Sequence, residues 1–380
     1  VRIAHVIDYF HTDVGYQEFF LAREMARAGH EVLVLTSVHR HHTVTEAGPD
    51  DAAGAADLAA AGVKVVRLRA RQLGHDRAWL AGMERELRRF SPEVVHAHGP
   101  FSPTTVRVAV LARRIGFRLL VDNHIQEFIA PGASSWAGRA FYQAFRVTAG
   151  PLLRRRVMTW VAIGPLERRF LAERLALPTE RIELVPLGFD PAVFGFDENR
   201  RTRLRQAQGW GDELVVAVTG KLHRAKRPDL VARACAELAA RRPVRLVLAG
   251  ALDPDARRAV EQAAGPFMAV AVDVWPMLGR AALADLYCSA DVVVFARLPS
   301  ISIYEAAGTG VRLLVGRDEF SEWLHALDPA VEPVDSERLV DELAPASGRA
   351  ERAATAAHVF SWGSVTDRFM TLYRSMDGGG

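Results

Sequence analysis

Three lysines stand against forty-five arginines in this chain, and two of the three fall within one six-residue stretch, in Val218-Thr-Gly-Lys221-Leu-His-Arg-Ala-Lys226-Arg-Pro228. Where arginine serves almost every positive charge, lysine stays where a compact, mobile ammonium is wanted, and phosphate is the chemistry such a pair suits. The setting agrees. Leu214 to Thr219 is a short apolar run, Gly220 breaks it, and Pro228 to Ala240 carries Leu230, Val231, Ala234 and Leu238 at helical spacing. Strand, tight turn and helix in that order put bare backbone N–H groups and a helix N-terminus at the carboxyl edge of a parallel sheet, where negative charge is attracted. Two solvated lysines beside a turn are the plainer reading of the same residues.

The elements that must position such a turn repeat along the chain. Arg2 to Asp8, Glu31 to Thr36, Val63 to Leu68, Val94 to His96, Leu119 to Val121 and Thr159 to Ile163 read as strands, with a helix from about Tyr16 to Ala28 after the first. The alternation restarts at Leu214 and continues at Leu246 to Ala249, Val270 to Val274, Val292 to Phe295 and Leu313 to Val315. Alternating units whose strands are apolar on both faces predict α/β architecture: two Rossmann-like doubly wound parallel sheets, one per domain, facing a cleft. Ala47 to Ala61, rich in Ala, Gly and Asp, reads as a mobile loop.

The bulk numbers fit. At 380 residues, with 49% hydrophobic, the chain has material for two cores. No stretch reaches the ~20 unbroken apolar residues of a membrane span, and Val1-Arg-Ile-Ala-His-Val-Ile runs straight into strand-like sequence, so a soluble, cytoplasmic protein is expected. Cys235 and Cys288 have apolar neighbours and read as buried thiols, not as a disulfide or metal cage. A net charge of only +3 gives no footprint for nucleic acid.

Several motifs then recur in one order. They are Gly15-Tyr-Gln-Glu18 opening a helix that ends at Gly29-His30-Glu-Val, then Val185-Pro-Leu-Gly-Phe-Asp190, and the lysine segment itself. Tyr287-Cys-Ser-Ala-Asp291, Glu305-Ala-Ala-Gly-Thr-Gly310 and Phe360-Ser-Trp362 complete the series. Together, over nearly the whole length, the chain resembles the nucleotide-sugar glycosyltransferases of the GT-B fold, in their retaining family 4. The resemblance implies an N-terminal acceptor domain over 1–188, a nucleotide-sugar donor domain over 189–358, and a C-terminal helix over 359–380 crossing back to the first domain. It implies Lys221 and Lys226, with Gly220, at the departing diphosphate. Glu305 is then on the ribose, where two carboxylate oxygens suit adjacent hydroxyls, although a favourable charge in a first helical turn is the simpler explanation of a glutamate there. His124, in Val121-Asp-Asn-His124, is placed at the donor sugar, and Gly15 and Tyr16 form a turn that admits the donor phosphates.

One departure stands out. The family's other glutamate, eight positions before Glu305, is here Arg297, and the turn after it reads Leu298-Pro299-Ser300-Ile301-Ser302. A guanidinium there would suit a diphosphate or a sugar carboxylate, and the amides of Ser300, Ile301 and Ser302 could still face phosphate. Other signals carry less. His96 and His98 form H-x-H without an evident third ligand, so no metal is expected; His98 is an acceptor-side candidate and His96 packing. Asp253-Pro-Asp255 matches D-x-D but precedes a helix as a cap would. His39, Arg40, His41 and His42 read as a solvated loop. Arg154, Arg155 and Arg156, beside Leu152, Leu153, Val157 and Trp160 and with Arg139 and Arg146, offer a lesser reading as a peripheral contact with anionic lipid at the inner membrane face.

The expected function is therefore sugar transfer from a nucleoside diphosphate to an acceptor hydroxyl with retention, without metal or cofactor, for bacterial glycan or secondary-metabolite synthesis. The acceptor is a small molecule, a glycan or a lipid-linked species. The alternatives are a nucleotide-sugar epimerase or hydrolase on the same fold, or a degenerate transferase that only binds nucleotide sugar or glycan.

Overall fold

Leu214–Thr219 and Val292–Phe295 are buried at every position, as strands covered by helices on both faces must be. The computed structural model describes residues 1–12, 16–41, 51–73, 76–126, 135–265, 271–297 and 300–376. Gly15, His42, Leu298 and Pro299 lie outside them. The chain divides into two units, Val1–Pro186 with Val365–Gly380, and Leu187–Ser364.

In unit 1 a seven-stranded sheet runs, in spatial order, Lys64–Leu68, Glu31–Ser37, Arg2–Val6, Val94–His98, Arg118–Asn123, Thr159–Ala162 and Ile182–Leu184. Every neighbouring pair is parallel. Unit 2 repeats the plan with six parallel strands: Ala271–Trp275, Val244–Ala249, Leu214–Thr219, Val292–Phe295, Arg312–Gly316 and Val331–Val334. Both orders are doubly wound. The winding reverses between Arg2–Val6 and Val94–His98 in unit 1, and between Leu214–Thr219 and Val292–Phe295 in unit 2. Beyond the carboxyl ends of such strand pairs the two connections part and leave a crevice, the usual ligand position in an open α/β sheet.

Unit 1 is completed from the far end of the chain. Helix Trp362–Ser375 buries Phe369 and Tyr373, the Tyr373 hydroxyl meets His96 Nδ1 at 2.8 Å, and Arg118 donates to the Tyr373 carbonyl at 3.1 Å. The strands assigned from sequence match apart from end residues, but the edge strands Ile182–Leu184 and Val331–Val334 were not foreseen, and there are two further differences of substance. Asp51–Ala60, read as part of a mobile loop, is a helix. Six of its ten residues are alanine, the best helix former, and Leu58 is buried. Ala70–Leu73 and Arg77–Leu80 form an antiparallel hairpin, unforeseen because Arg71 and Gln72, both exposed, blur the apolar alternation.

Candidate functional site

The end of strand Leu214–Thr219 in unit 2 is shaped by two glycines. Gly220 has φ +108° and Gly250, at the end of the neighbouring strand, φ +143°, conformations that favour glycine. The Gly220 N–H donates to the Ala249 carbonyl at 3.0 Å, and a Cβ on Gly250 would fall 1.9 Å from the Gly220 carbonyl oxygen. Lys221 projects into solvent. Lys226, in a single 3-10 turn Arg224–Lys226, folds back so that its Nζ lies 3.5 Å from where a Gly220 Cβ would be. Neither ammonium has a hydrogen bond or ion pair with a described residue. Burial, and then the charge of Lys221, push the Lys226 pKa below the usual lysine value. Two like charges beside a bare glycine turn are what an anion would relieve.

Across the switch point, helix Ser302–Gly308 buries Glu305. Burial pushes its pKa up to about 6, against the pull of Arg280 and a hydrogen bond from Ser302. Behind it the Tyr287 and Thr219 hydroxyls bond at 2.6 Å, a buried pair that sequence reasoning noted only as part of a motif. Arg297 is exposed just past strand Val292–Phe295. The Ser302 N–H faces the Ser300 hydroxyl at 3.4 Å, and the carbonyls of Ser300 and Ile301 take the N–H groups of Ile303 and Tyr304. The amide of Ser302 is thus partly occupied by its own turn. Asp253 caps helix Pro254–Ala264 by accepting the Ala256 N–H at 2.7 Å, and Asp255 pairs with Arg258.

In unit 1 the carboxyl ends of Arg2–Val6, Val94–His98 and Arg118–Asn123 and the start of helix Gln17–Arg27 bring together His5, Glu18, His96, His98, Asp122 and His124. Asp122 Oδ2 lies 2.9 Å from His98 Nδ1 and 3.0 Å from His124 Nε2. Burial alone would raise the Asp122 pKa; the facing imidazoles His98, His124 and His96 hold it well below the carboxylate range. Burial with His98 pushes His96 down to about 4, and His5 is lowered by burial, His96 and His98. Glu18 is raised, chiefly by burial. His124 is 31% exposed at its side chain. Its pKa is raised, burial being outweighed by the charge and hydrogen bond of Asp122 and by Glu18 and Glu167.

Two expectations change here. His98 was an acceptor-side candidate, but its second nitrogen is bonded to His5 Nδ1 at 3.0 Å, so neither nitrogen is left for a ligand. The sequence showed no partner for H-x-H, yet His5 and the pair Asp122 and His124 bring ligand-type atoms within 4.8 Å of it. They meet at hydrogen-bond separations. Tyr16 precedes helix Gln17–Arg27 and is exposed. His39 bonds the Ala70 carbonyl and His41 the Asp76 carboxylate, each at 3.0 Å, so this segment is tied down by side chains and is more than a solvated loop.

The arginine run is also differently placed than expected. Leu153, Val157 and Trp160 are core residues, and Arg154 donates to the Leu175 carbonyl at 2.7 Å. Exposed apolar side chains lie instead on helix Trp136–Thr148, where Trp136 is 78% and Val147 62% exposed and Phe141 is exposed as well.

Residues 20–188 match the family model described as Glycosyl transferase 4-like domain. A relative from Segniliparus rotundus described as D-inositol 3-phosphate glycosyltransferase is 29% identical over 248 residues, 58% of this chain and 53% of the relative. The chain spans about half the length of the curated relatives it matches. Among solved structures it is similar to Anabaena Alr3699/HepE in complex with UDP, with TM-score 0.70 and 16% identity over 99% of this chain and 100% of that one. It is similar also to the sucrose-phosphate synthase of Thermosynechococcus elongatus, with TM-score 0.65 and 17% identity over 100% of both chains. At these identities the structural likeness is one of fold.

Proposed function

We propose that this chain, similar to the GT-B glycosyltransferases of the family-4 type, moves a sugar from a nucleoside diphosphate to an acceptor hydroxyl with retention of configuration. The observation that carries this is the pair Lys221 and Lys226, two ammonium groups with no partner among the described residues, at a glycine turn beyond the carboxyl end of the switch strand. As the anomeric C–O bond to phosphate breaks, negative charge grows on the diphosphate, and the ammonium groups stabilise it without a metal. Glu305 accepts from the ribose hydroxyls and His124 orients the sugar. The acceptor oxygen attacks from the face the phosphate leaves, and its proton passes to the departing phosphate oxygen. The donor is the substrate and no cofactor takes part. Uridine is the base we assign, supported by the fold relative that holds UDP. A bacterial biosynthetic role and a cytoplasmic place belong to the same proposal; no described helix is long and apolar enough to cross a membrane.

A thermal-shift panel of UDP, GDP, ADP, CMP and dTDP tests this, because a ligand of the native state raises its melting temperature by mass action. UDP alone should shift it; silence from all five would sink the proposal. The exposed Arg297 favours one second reading, a protein that binds the nucleotide sugar without turning it over. Consumption of UDP-sugar with an acceptor such as D-inositol 3-phosphate separates the two.

Glu305 gives the binding a pH signature. A carboxyl with its pKa raised to about 6 is ionised above that pH and neutral below it. If only the ionised form grips the ribose, the dissociation constant for UDP should rise about fourfold between pH 7.5 and 5.5, as the competent fraction falls. A Glu305→Gln variant should show only the protonation of the diphosphate itself, and identical pH profiles would remove Glu305 from the ribose.

Lipid contact, in this reading, belongs to helix Trp136–Thr148. Residues 135–156 contain five arginines and no acidic residue, and the exposed Trp136 and Val147, eleven positions apart and so on one side of the helix, offer apolar contact for an anionic bilayer surface. Cosedimentation with phosphatidylglycerol vesicles, but not with phosphatidylcholine, is the expected result. A Trp136→Ser, Val147→Ser variant should bind at least about tenfold more weakly, since each large apolar side chain buried contributes roughly 1.5–3 kcal/mol. Equal recovery with both lipids would contradict the assignment.

A further inference from the structure

Four nitrogen atoms converge on one oxygen. Asp122 Oδ2 has His98 Nδ1 at 2.9 Å, His124 Nε2 at 3.0 Å, His96 Nε2 at 3.1 Å and Gln17 Nε2 at 3.2 Å. His96 Nε2 is near but makes no hydrogen bond. An ionised carboxylate is acceptor-only, so the ring nitrogens bonded to it carry the protons. From that single condition the tautomers of His98 and His5 follow. His98, with its proton on Nδ1, presents Nε2 as acceptor to His5 Nδ1–H at 3.0 Å. His96 Nδ1 and the Tyr373 hydroxyl share a hydrogen bond at 2.8 Å, and His5 Nε2 rests against Met25 Sδ at 3.4 Å. His124 is the most exposed of these four rings, 31% at its side chain against 4% for His98, and its Nδ1 has no hydrogen bond to a described residue.

We propose that Asp122 is a positioning residue that clamps His124 through Nε2, so that Nδ1 becomes the outward nitrogen and donates its proton to an oxygen of the substrate. This rests on the transferase reading for the identity of that oxygen, and on geometry alone for the clamp. The carboxylates that bear on His124 favour the doubly protonated ring: Asp122 beside it, Glu18 from helix Gln17–Arg27 and Glu167 from helix Pro165–Leu175. His98, whose ring centroid lies 6.5 Å from that of His124, and His96 oppose it when they are themselves protonated. An aspartate that fixes one ring nitrogen thereby decides what the other can do, the logic of any base oriented by a third group. His98 and Gln17 donate to the same carboxylate and keep Asp122 ionised in a buried place, since an anion there needs several donors, and His5 holds His98 in turn.

The test is a titration of the labelled imidazoles by nuclear magnetic resonance, which needs neither nucleotide nor turnover and so stands apart from the transferase question. In the native protein His124 should titrate above pH 6.5. In Asp122→Asn its midpoint should fall by at least one pH unit, a tenfold loss of proton affinity, while in Tyr373→Phe it should stay. With substrates, the fall of kcat at alkaline pH should move to lower pH in Asp122→Asn by the same amount. A native midpoint at or below 6.5 overturns the proposal even if Asp122→Asn fails to fold. So does an unchanged midpoint in that variant. Stoichiometric zinc in the purified protein would overturn it as well, because Asp122 and His124 would then be holding metal.

Discussion

A Lys221→Ala, Lys226→Ala variant is expected to lose sugar transfer by roughly 10³-fold or more, since removing one preorganised donor at a developing oxyanion commonly costs 10²–10³ and two that share one anion act as a unit. The same variant should melt no lower than the native protein. Lys226 is held partly buried beside a like charge, an arrangement that lowers its pKa and costs stability when no anion is bound. Alanine removes that repulsion. Unimpaired melting together with a vanished UDP shift is the expected pair of results, and retained transfer would overturn the placement of the diphosphate.

The second large effect comes from packing. Gly250→Ala puts a methyl 1.9 Å from the Gly220 carbonyl oxygen, backbone against backbone, at φ +143°. No side chain can swing away. Overpacking of a rigid site costs about 1–3 kcal/mol and the unfavourable backbone region a further ~1–3, so unit 2 should lose about 2–6 kcal/mol. The loss should be greatest in UDP binding, because the strand end can relieve the clash only by moving the Gly220 turn. Denaturant melts of Gly250→Ala beside Gly29→Ala set the scale: Gly29 shares a positive φ but has nothing within 4 Å of its added methyl. Equal losses in the two would show that backbone conformation, and not the Gly220 contact, decides the effect.

How far the sequence spoke depended on how local the chemistry was. Lys221, Lys226 and Gly220 lie in one strand-turn-helix segment, and Glu305 lies in the first turn of a helix after a wholly apolar strand, so spacing alone suffices to find them. Asp122 and His5 carry no such sign. His5 meets His98 across 93 positions and Gln17 meets Asp122 across 105. Only the strand order, which sets Arg2–Val6 beside Val94–His98, makes them neighbours. The arginine run misled for a related reason. Leu153 and Val157 looked like a lipid-facing stripe because periodicity gives a helix an apolar side without saying what it faces. Asp51–Ala60 escaped because composition suggested a loop where alanine propensity and one buried leucine suffice for a helix.

The return of helix Trp362–Ser375 to unit 1 has a consequence for how the protein comes into being. A ribosome delivers the chain from its N-terminus, so all of Leu187–Ser364 emerges before Phe369 and Tyr373 do. Until then the His96 ring lacks its phenol partner and Arg118 its carbonyl. Unit 2 is contiguous in sequence and needs nothing beyond Ser364, whereas the unit that begins first is sealed last. A chain ending at Ser364 should therefore carry a protease-resistant unit 2 beside a unit 1 that is still open to cleavage.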